Sequence, residues 1–247
     1  MSDTYKPGLF AGKEVLVSGG TSGIGAAIGN AFAALGAQVS VTGPTQADVD
    51  AARAAPDFAA NDARVLDVRD MGAIELAIAA MPRLDIVVNC AGMIRRNDEH
   101  RSDVFEDVID VNLTGTMRIC IAARSRLAAG RGAIVNIASI MSFFATPLSP
   151  AYSASKGGVA QLTKSLAIAY AGDGIRVNAV APGWVATPLT GALRENPERN
   201  NAIIARTPLS RWAEPAEIAD AVLFLCSPAA RFMTGAVMIV DGGYSVV

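Results

Sequence analysis

One histidine, His100, stands in the whole chain of 247 residues. That excludes a histidine-rich metal site, and zinc chemistry is not expected. Cysteine is almost as scarce. Cys90, Cys120 and Cys226 lie far apart, show no C-x-x-C spacing and are odd in number. Such thiols point to a reducing compartment rather than to a disulfide framework. Charged residues make up only 18% of the chain, and 21 Lys and Arg against 23 Asp and Glu leave a formal net charge of -2. A balance so close to zero offers no hold on nucleic acid or on an anionic membrane. No apolar run approaches the ~20 residues of a membrane-spanning helix. The opening stretch MSDTYKPGLFAGKE has no basic region followed by an apolar one, so no leader is expected and the cytoplasm is the expected location.

Apolar residues, by contrast, are abundant at 51%, and the length suits one α/β domain. Short, mostly β-branched runs recur at 14–18, 38–42, 63–67, 84–89, 132–138, 175–181 and 236–240. Near-continuous runs of this kind are strands buried on both faces. Between them, 23–36, 71–81 and 215–226 read as helices, and the longest helical patterns cover about 102–129 and 150–171. Strand–helix alternation from end to end predicts a doubly wound Rossmann-type α/β fold, a seven-stranded parallel sheet flanked by helices. No linker, repeat or low-complexity tract divides it, so residues 1–247 read as one domain.

The stretch SGGTSGIG, residues 18–25, joins the first strand to the first helix. Glycine gives up more backbone freedom on folding than any other residue, so a cluster of four needs a compensating gain. A loop in this place can hold a pyrophosphate against helix N-terminal amides; a purely structural tight turn is the alternative reading. Further on, Tyr152 and Lys156 in AYSASKGG stand four apart, on one face of a helix. A free phenol has a pKa near ~10, and lowering it by about three units takes ~4 kcal/mol. One ammonium about 4 Å away supplies roughly that at an effective dielectric near 20. Such a pair occurs often by chance, and alone it reads sooner as an incidental helical pair with Lys156 in solvent. Ser139, however, ends a strand thirteen residues before Tyr152, where the strands' carboxyl ends form the crevice of such sheets. Asn112 sits inside a long helical pattern, where asparagine is a mediocre choice unless it caps or is solvated.

Together these residues resemble the short-chain dehydrogenase/reductase family over essentially the whole chain. Ser18-Gly19 through Gly23 and Gly25 match its glycine loop, with Ser18 in place of the usual threonine. Asn89-Cys90-Ala91-Gly92 matches a motif in which Cys90 replaces an asparagine. Asn112, Ser139, Tyr152 and Lys156 match the catalytic tetrad in order and spacing. Pro182-Gly183 and Thr187 match the nicotinamide-contacting segment, and Asp241-Gly242-Gly243 the C-terminal motif. The resemblance implies a nicotinamide cofactor, with Tyr152 as general acid/base. Lys156 would lower the Tyr152 pKa and hold the ribose, Ser139 would orient the reacting oxygen, and Asn112 would support a water-linked proton path to Lys156. Cofactor contacts are expected from Gly19, Thr21, Ser22, Gly23, Ile24, Gly25, Gly43, Asp67, Val68, Asn89, Ala91, Gly92, Tyr152, Lys156, Pro182, Gly183, Val185 and Thr187. Asp67 and Val68, at the end of the third strand, would flank the adenine. A homotetramer built through the two long helices and the C-terminal segment is also implied, and a mean hydropathy of +0.34 suits it. A nucleotide-sensing protein without turnover is the contrasting reading, disfavoured because all four tetrad positions are filled.

Cofactor choice turns on the residue about 20 positions past the glycines, where an acid binds a ribose 2′-hydroxyl. That place falls near Gly43, followed by Pro44, with no Lys or Arg between Gln38 and Ala52 and with Asp48 and Asp50 nearby. Nothing local would neutralise a 2′-phosphate, so NAD is expected over NADP. Residues 187–207 read as a substrate lid, or else as an ordinary pair of surface helices. In AGMIRRNDE, residues 91–99, Arg95 or Arg96 can face the crevice and grip a carboxylate, with Ser139 on the reacting oxygen. This Ile-Arg-Arg resembles the matching stretch of bacterial sugar-acid dehydrogenases such as gluconate 5-dehydrogenase and 2-dehydro-3-deoxy-gluconate 5-dehydrogenase. The expected substrate is a sugar acid or polyol; solvated arginines and a 3-oxoacyl-thioester reductase remain the alternatives.

Overall fold

Strands and helices alternate in the order that the apolar runs predict. A computed structural model describes residues 4–247, so the first three residues of the opening stretch read for a leader lie outside it. The elements are β1 (Glu14–Ser18), α1 (Gly23–Ala34), β2 (Gln38–Gly43), α2 (Gln46–Ala54), β3 (Asp62–Val65), α3 (Met71–Ala79) and β4 (Ile86–Asn89). There follow α4 (Ser102–Ile109), α5 (Gly115–Gly130), β5 (Ala133–Ile137), α6 (Pro150–Tyr170) and β6 (Arg176–Pro182). The last are α7 (Gly191–Arg194), α8 (Pro197–Arg206), α9 (Pro215–Cys226) and β7 (Val237–Val240). The seven strands form one parallel sheet in the order β3-β2-β1-β4-β5-β6-β7.

Both faces of the sheet are covered, which is why its strands are almost uninterruptedly apolar. Ile28 and Phe32 of α1 pack with Ile218, Val222 and Leu225 of α9 in one core. Ile74 and Ile78 of α3, Ile119 and Leu127 of α5 and Leu166 of α6 fill the other. Each such side chain contributes roughly 1.5–3 kcal/mol by leaving water. Winding reverses between β1 and β4, so the carboxyl ends of these two strands open a crevice at the switch point.

Three local features depart from the sequence expectation. β3 ends at Val65 rather than at Asp67, because the Asp67 carboxylate accepts the Arg69 amide at 2.9 Å and turns the chain away. Asp67 and Val68 therefore follow the strand instead of ending it. The 102–129 helix is interrupted at Asp110–Thr114 by a wider π-turn that carries Asn112, a device frequent at functional sites. α2 was not expected, although Thr45 and Asp48 form a reciprocal capping box that a closer reading of TQADVD would catch. The 187–207 segment is a 3₁₀ turn followed by α7 and α8, mostly exposed, with Ile203 the buried anchor of α8.

Candidate active site

The glycine loop leaves β1 at the switch point. Gly19 is held at a φ of +67°, and a Cβ there would stand 2.5 Å from the Ala91 backbone. A Cβ on Gly25 would collide with the Gly19 carbonyl. These two positions thus have room for glycine alone, and the loop meets the backbone at Cys90 and Ala91. Among the described residues Ser22 makes no side-chain capping bond to α1, so amides at Gly23, Ile24 and Gly25 are available to an anion. These features fit a dinucleotide's pyrophosphate.

Other expected cofactor residues ring the same crevice. Thr21 stands against Gly43, where a Cβ would lie 2.7 Å from the threonine side chain. Thr187 approaches Gly23, its methyl 3.4 Å from the place of a Cβ there. Asp241 accepts the amides of Gly243 at 2.9 Å and Ser245 at 2.8 Å, and packs where a Gly183 side chain would go. That contact ties the C-terminal motif to Pro182-Gly183 at the end of β6, and Val185 is buried just beyond. Val68 packs on Gly115, and the Arg69 guanidinium holds the Asp67 carboxyl below the usual carboxylate range.

The four tetrad positions converge. Lys156 lies one turn beyond Tyr152 on α6, its Nζ 5.7 Å from the centre of the phenol ring. Ser139, after β5, accepts the Met141 amide at 3.1 Å, which caps the following 3₁₀ turn. Gly92 leaves room for Asn112 Oδ1 and Lys156 Nζ, each about 3.4–3.5 Å from where a Cβ would stand. Asn112 is fully buried and clamps the loop after β4: its Oδ1 accepts the Met93 amide at 2.8 Å, and its Nδ2 donates to the Met93 carbonyl at 2.9 Å. The same Nδ2 reaches Ser155 Oγ at 3.0 Å, and Ser155 donates to the Tyr152 carbonyl at 2.7 Å. The π-turn is what aims this amide inward.

Electrostatically the free protein differs from the expectation. Burial pushes the Tyr152 phenol above its ordinary pKa; the Ser139 hydroxyl and the Arg96 cation pull it down without prevailing. Lys156 Nζ donates to the Ile137 carbonyl at 2.7 Å. Its own pKa falls to about 8, through burial. Cys90, also beside Lys156, is pushed up to about 11 by burial and is no nucleophile at neutral pH. Asn89, below it, donates to Asn136 at 2.8 Å, and Asn136 to Thr163 at 2.9 Å, stitching β4, β5 and α6 together.

A cavity of about 340 Å³ opens beside Tyr152 and Ser139. Arg96 lines it, half-buried, together with Ile94, Trp184 and Leu189, whereas Arg95 is exposed and does not. Of the two arginines in AGMIRRNDE, the fold turns Arg96 inward. A residue that sequence reasoning missed explains why. Glu99, only 1% exposed, accepts the Arg95 amide at 2.8 Å with one oxygen and the Tyr152 amide at 2.8 Å with the other. One carboxylate thereby caps the first turn of α6 and fixes the arginine loop to it. No local pattern signals a cap supplied from 53 residues away.

A dinucleotide crevice with a half-buried phenol and a neighbouring ammonium suits hydride-transfer chemistry, and comparison with known proteins agrees. A family profile described as enoyl-(acyl carrier protein) reductase matches residues 19–245. The chain belongs to the short-chain dehydrogenase/reductase family, as an NAD(P)-dependent oxidoreductase acting on a secondary alcohol or ketone. It is 44% identical over 240 residues, 93% of this chain and 94% of the relative, to galactitol 2-dehydrogenase (L-tagatose-forming) of Cereibacter sphaeroides. It is 36% identical over 244 residues, 94% of each chain, to 2-dehydro-3-deoxy-D-gluconate 5-dehydrogenase of Bacillus subtilis. A crystal structure of a gluconate 5-dehydrogenase from Burkholderia cenocepacia, in complex with NADP and tartrate, superposes with a TM-score of 0.89 at 33% identity. That match covers 96% of this chain and 97% of the other. Among the described residues no helix is long and apolar enough to cross a membrane, and no group of His, Cys, Asp and Glu is placed to hold a metal.

Proposed function

We propose that the protein oxidises or reduces a sugar acid or closely related polyol at a secondary carbon, with a carboxylate of the substrate held by Arg96. One observation carries this reading. The Arg96 guanidinium shares the cavity with Tyr152 and Ser139, yet among the described residues it has no ion-pair partner. A half-buried cation without a counter-ion is costly, and a carboxylate accepts its planar fork through two charge-assisted bonds. Arg96→Ala is expected to raise KM for a sugar acid roughly ten- to hundredfold, with little change for a neutral polyol. Arg95→Ala, on the exposed neighbour, should leave both nearly unchanged. Equal effects of Arg96→Ala on the acid and the polyol would count against carboxylate recognition.

In this reading the bound nicotinamide supplies or accepts the hydride. Tyr152 Oη takes the alcohol proton as the carbon is oxidised, or returns it to the carbonyl oxygen in reduction. Ser139 Oγ holds the same oxygen, Lys156 holds the ribose hydroxyls, and Asn112 keeps the loop after β4 in register with α6. Residues 187–207 act as a lid, since Leu189, Thr190 and Leu193 reach the cavity from a segment with few buried anchors. Faster hydrogen exchange there in the free enzyme than in the ternary complex is the expected sign of closure; equal exchange would argue for a fixed wall.

Gly43 has no side chain to meet a 2′-phosphate, and Asp48, beside it, is engaged in the α2 capping box. These features favour NAD, although related structures carry NADP. A higher kcat/KM with NAD is expected; parity or a preference for NADP would reverse the assignment. Exposed Ile121 on α5, Ile168 on α6, and Phe232 and Ile239 flanking and within the edge strand β7 support a homotetramer. Light scattering should give four times the chain mass, and a monomer at micromolar concentration would refute it. Three free thiols fit a cytoplasmic location, which cell fractionation can test.

A further inference from the structure

α8 carries a second guanidinium to the same cavity. Arg199 lies in its first turn, which Asn196 fixes by accepting the Arg199 amide at 3.0 Å. Its side chain is exposed and lines the same cavity as the half-buried Arg96. Burial makes Arg96 easier to deprotonate; the charges of Tyr152 and Glu99 oppose this, and that of Arg199 adds to it. Among the described residues neither guanidinium has an acidic partner within bonding distance. The nearest acid, Glu99, spends both oxygens on backbone amides. A third arginine, Arg206, is already held, with its guanidinium 4.4 Å from the Tyr244 ring and donating to the Val247 carbonyl at 3.4 Å.

Two like charges lining one cavity, neither of them in an ion pair among the described residues, raise the energy of the empty site. Either alone can grip a carboxylate; together they can hold one from both sides, and such an anion offsets their repulsion. The two arginines also sit on different bodies. Arg96 is anchored to α6 through the Glu99 carboxylate, while Arg199 rides on a helix with a single buried apolar side chain, Ile203.

We infer that Arg199 is a specificity-determining residue, which closes with Arg96 on one carboxylate of the substrate and draws α8 over the cavity. The inference rests on the reading of Arg96 as the carboxylate site. Neutral substrates of the same skeleton lack the group that bridges the two arginines, so they leave α8 open and are discriminated against at binding rather than in chemistry.

The test compares gluconate with sorbitol, an acid and an alcohol of one carbon count, in the full-length enzyme with saturating cofactor. Arg199→Ala should raise KM for gluconate roughly tenfold or more, with kcat and the sorbitol KM nearly unchanged. Arg199→Lys should restore part of the loss, since it keeps the charge without the fork. Gluconate should also slow hydrogen exchange across residues 197–206 in the wild type and not in Arg199→Ala, a readout that holds even if turnover is slow. If Arg96→Ala weakens gluconate and Arg199→Ala does not, the two-sided clamp is wrong and the carboxylate reading survives. If neither variant changes gluconate binding, both fall. A uniform rise in both KM values with Arg199→Ala would assign Arg199 to packing and overturn the inference.

Discussion

Tyr152→Phe is expected to lower kcat by about 10²–10⁴-fold, the usual loss when a general acid/base is removed, while the fold and cofactor binding persist. The substitution keeps the ring that lies 5.7 Å from the Lys156 ammonium and deletes only the hydroxyl beside Ser139. The cavity's other phenol, Tyr244, has its ring under the Arg206 guanidinium, 4.4 Å away. The Ser139 hydroxyl is far too weak an acid to take the place of Tyr152. Because burial raises the phenol, it keeps its proton at neutral pH in the free enzyme, which suits donation to a carbonyl oxygen. Alcohol oxidation needs the deprotonated form and should climb as the medium becomes alkaline. Near-wild-type turnover of Tyr152→Phe on a substrate with slow chemistry would remove Tyr152 from the mechanism.

Lys156→Met should separate activity from stability. Turnover should fall by at least the same 10²–10⁴ as for a lost acid/base group, yet the free protein should gain stability at neutral pH. Lys156 is 4% exposed, and burial moves its pKa from 10.5 down to about 8. That gap corresponds to a cost of about 3 kcal/mol for holding the charged amine in the fold. Loss of the bond to the Ile137 carbonyl offsets about 1 kcal/mol of the gain. The sign with pH follows from the two protonation states. Below pH 8 the amine is charged in folded and unfolded chains alike, and the folded chain bears the whole cost. Between about pH 8 and 10.5 the unfolded chain keeps a proton that the folded chain has released, so wild-type stability rises with pH. Denaturant melts across this range should show the advantage of the variant shrinking by about 3 kcal/mol. A constant difference would mean that Lys156 is not held in a disfavoured charge state.

Much of the fold was legible because its signals are local. Val15-Leu16-Val17 before the glycines, the helix after them, and Tyr152 and Lys156 one turn apart can each be read within a dozen residues. What escaped depends on contacts across the chain. Glu99 looks like one acid in a polar stretch until folding sets it against the first turn of α6. The π-turn at Asn112 answers the need to aim one amide at Met93, and nothing in DVNLT requires it. Arg199 reaches the cavity only because α8 folds back over it. The bond from Lys156 Nζ to the Ile137 carbonyl is likewise tertiary, and nothing in AYSASKGG signals it. Here spacing revealed which residues meet, while the surroundings decide their charge states.

The most direct test is a steady-state panel of sugar acids, neutral polyols and 3-oxoacyl thioesters, each run with NAD(H) and with NADP(H). The predicted result is the highest kcat/KM for a sugar acid, larger with NAD than with NADP, and lost for the acid when Arg96 is replaced by alanine. Turnover confined to acyl thioesters, or a preference for neutral polyols that Arg96→Ala leaves untouched, would contradict it.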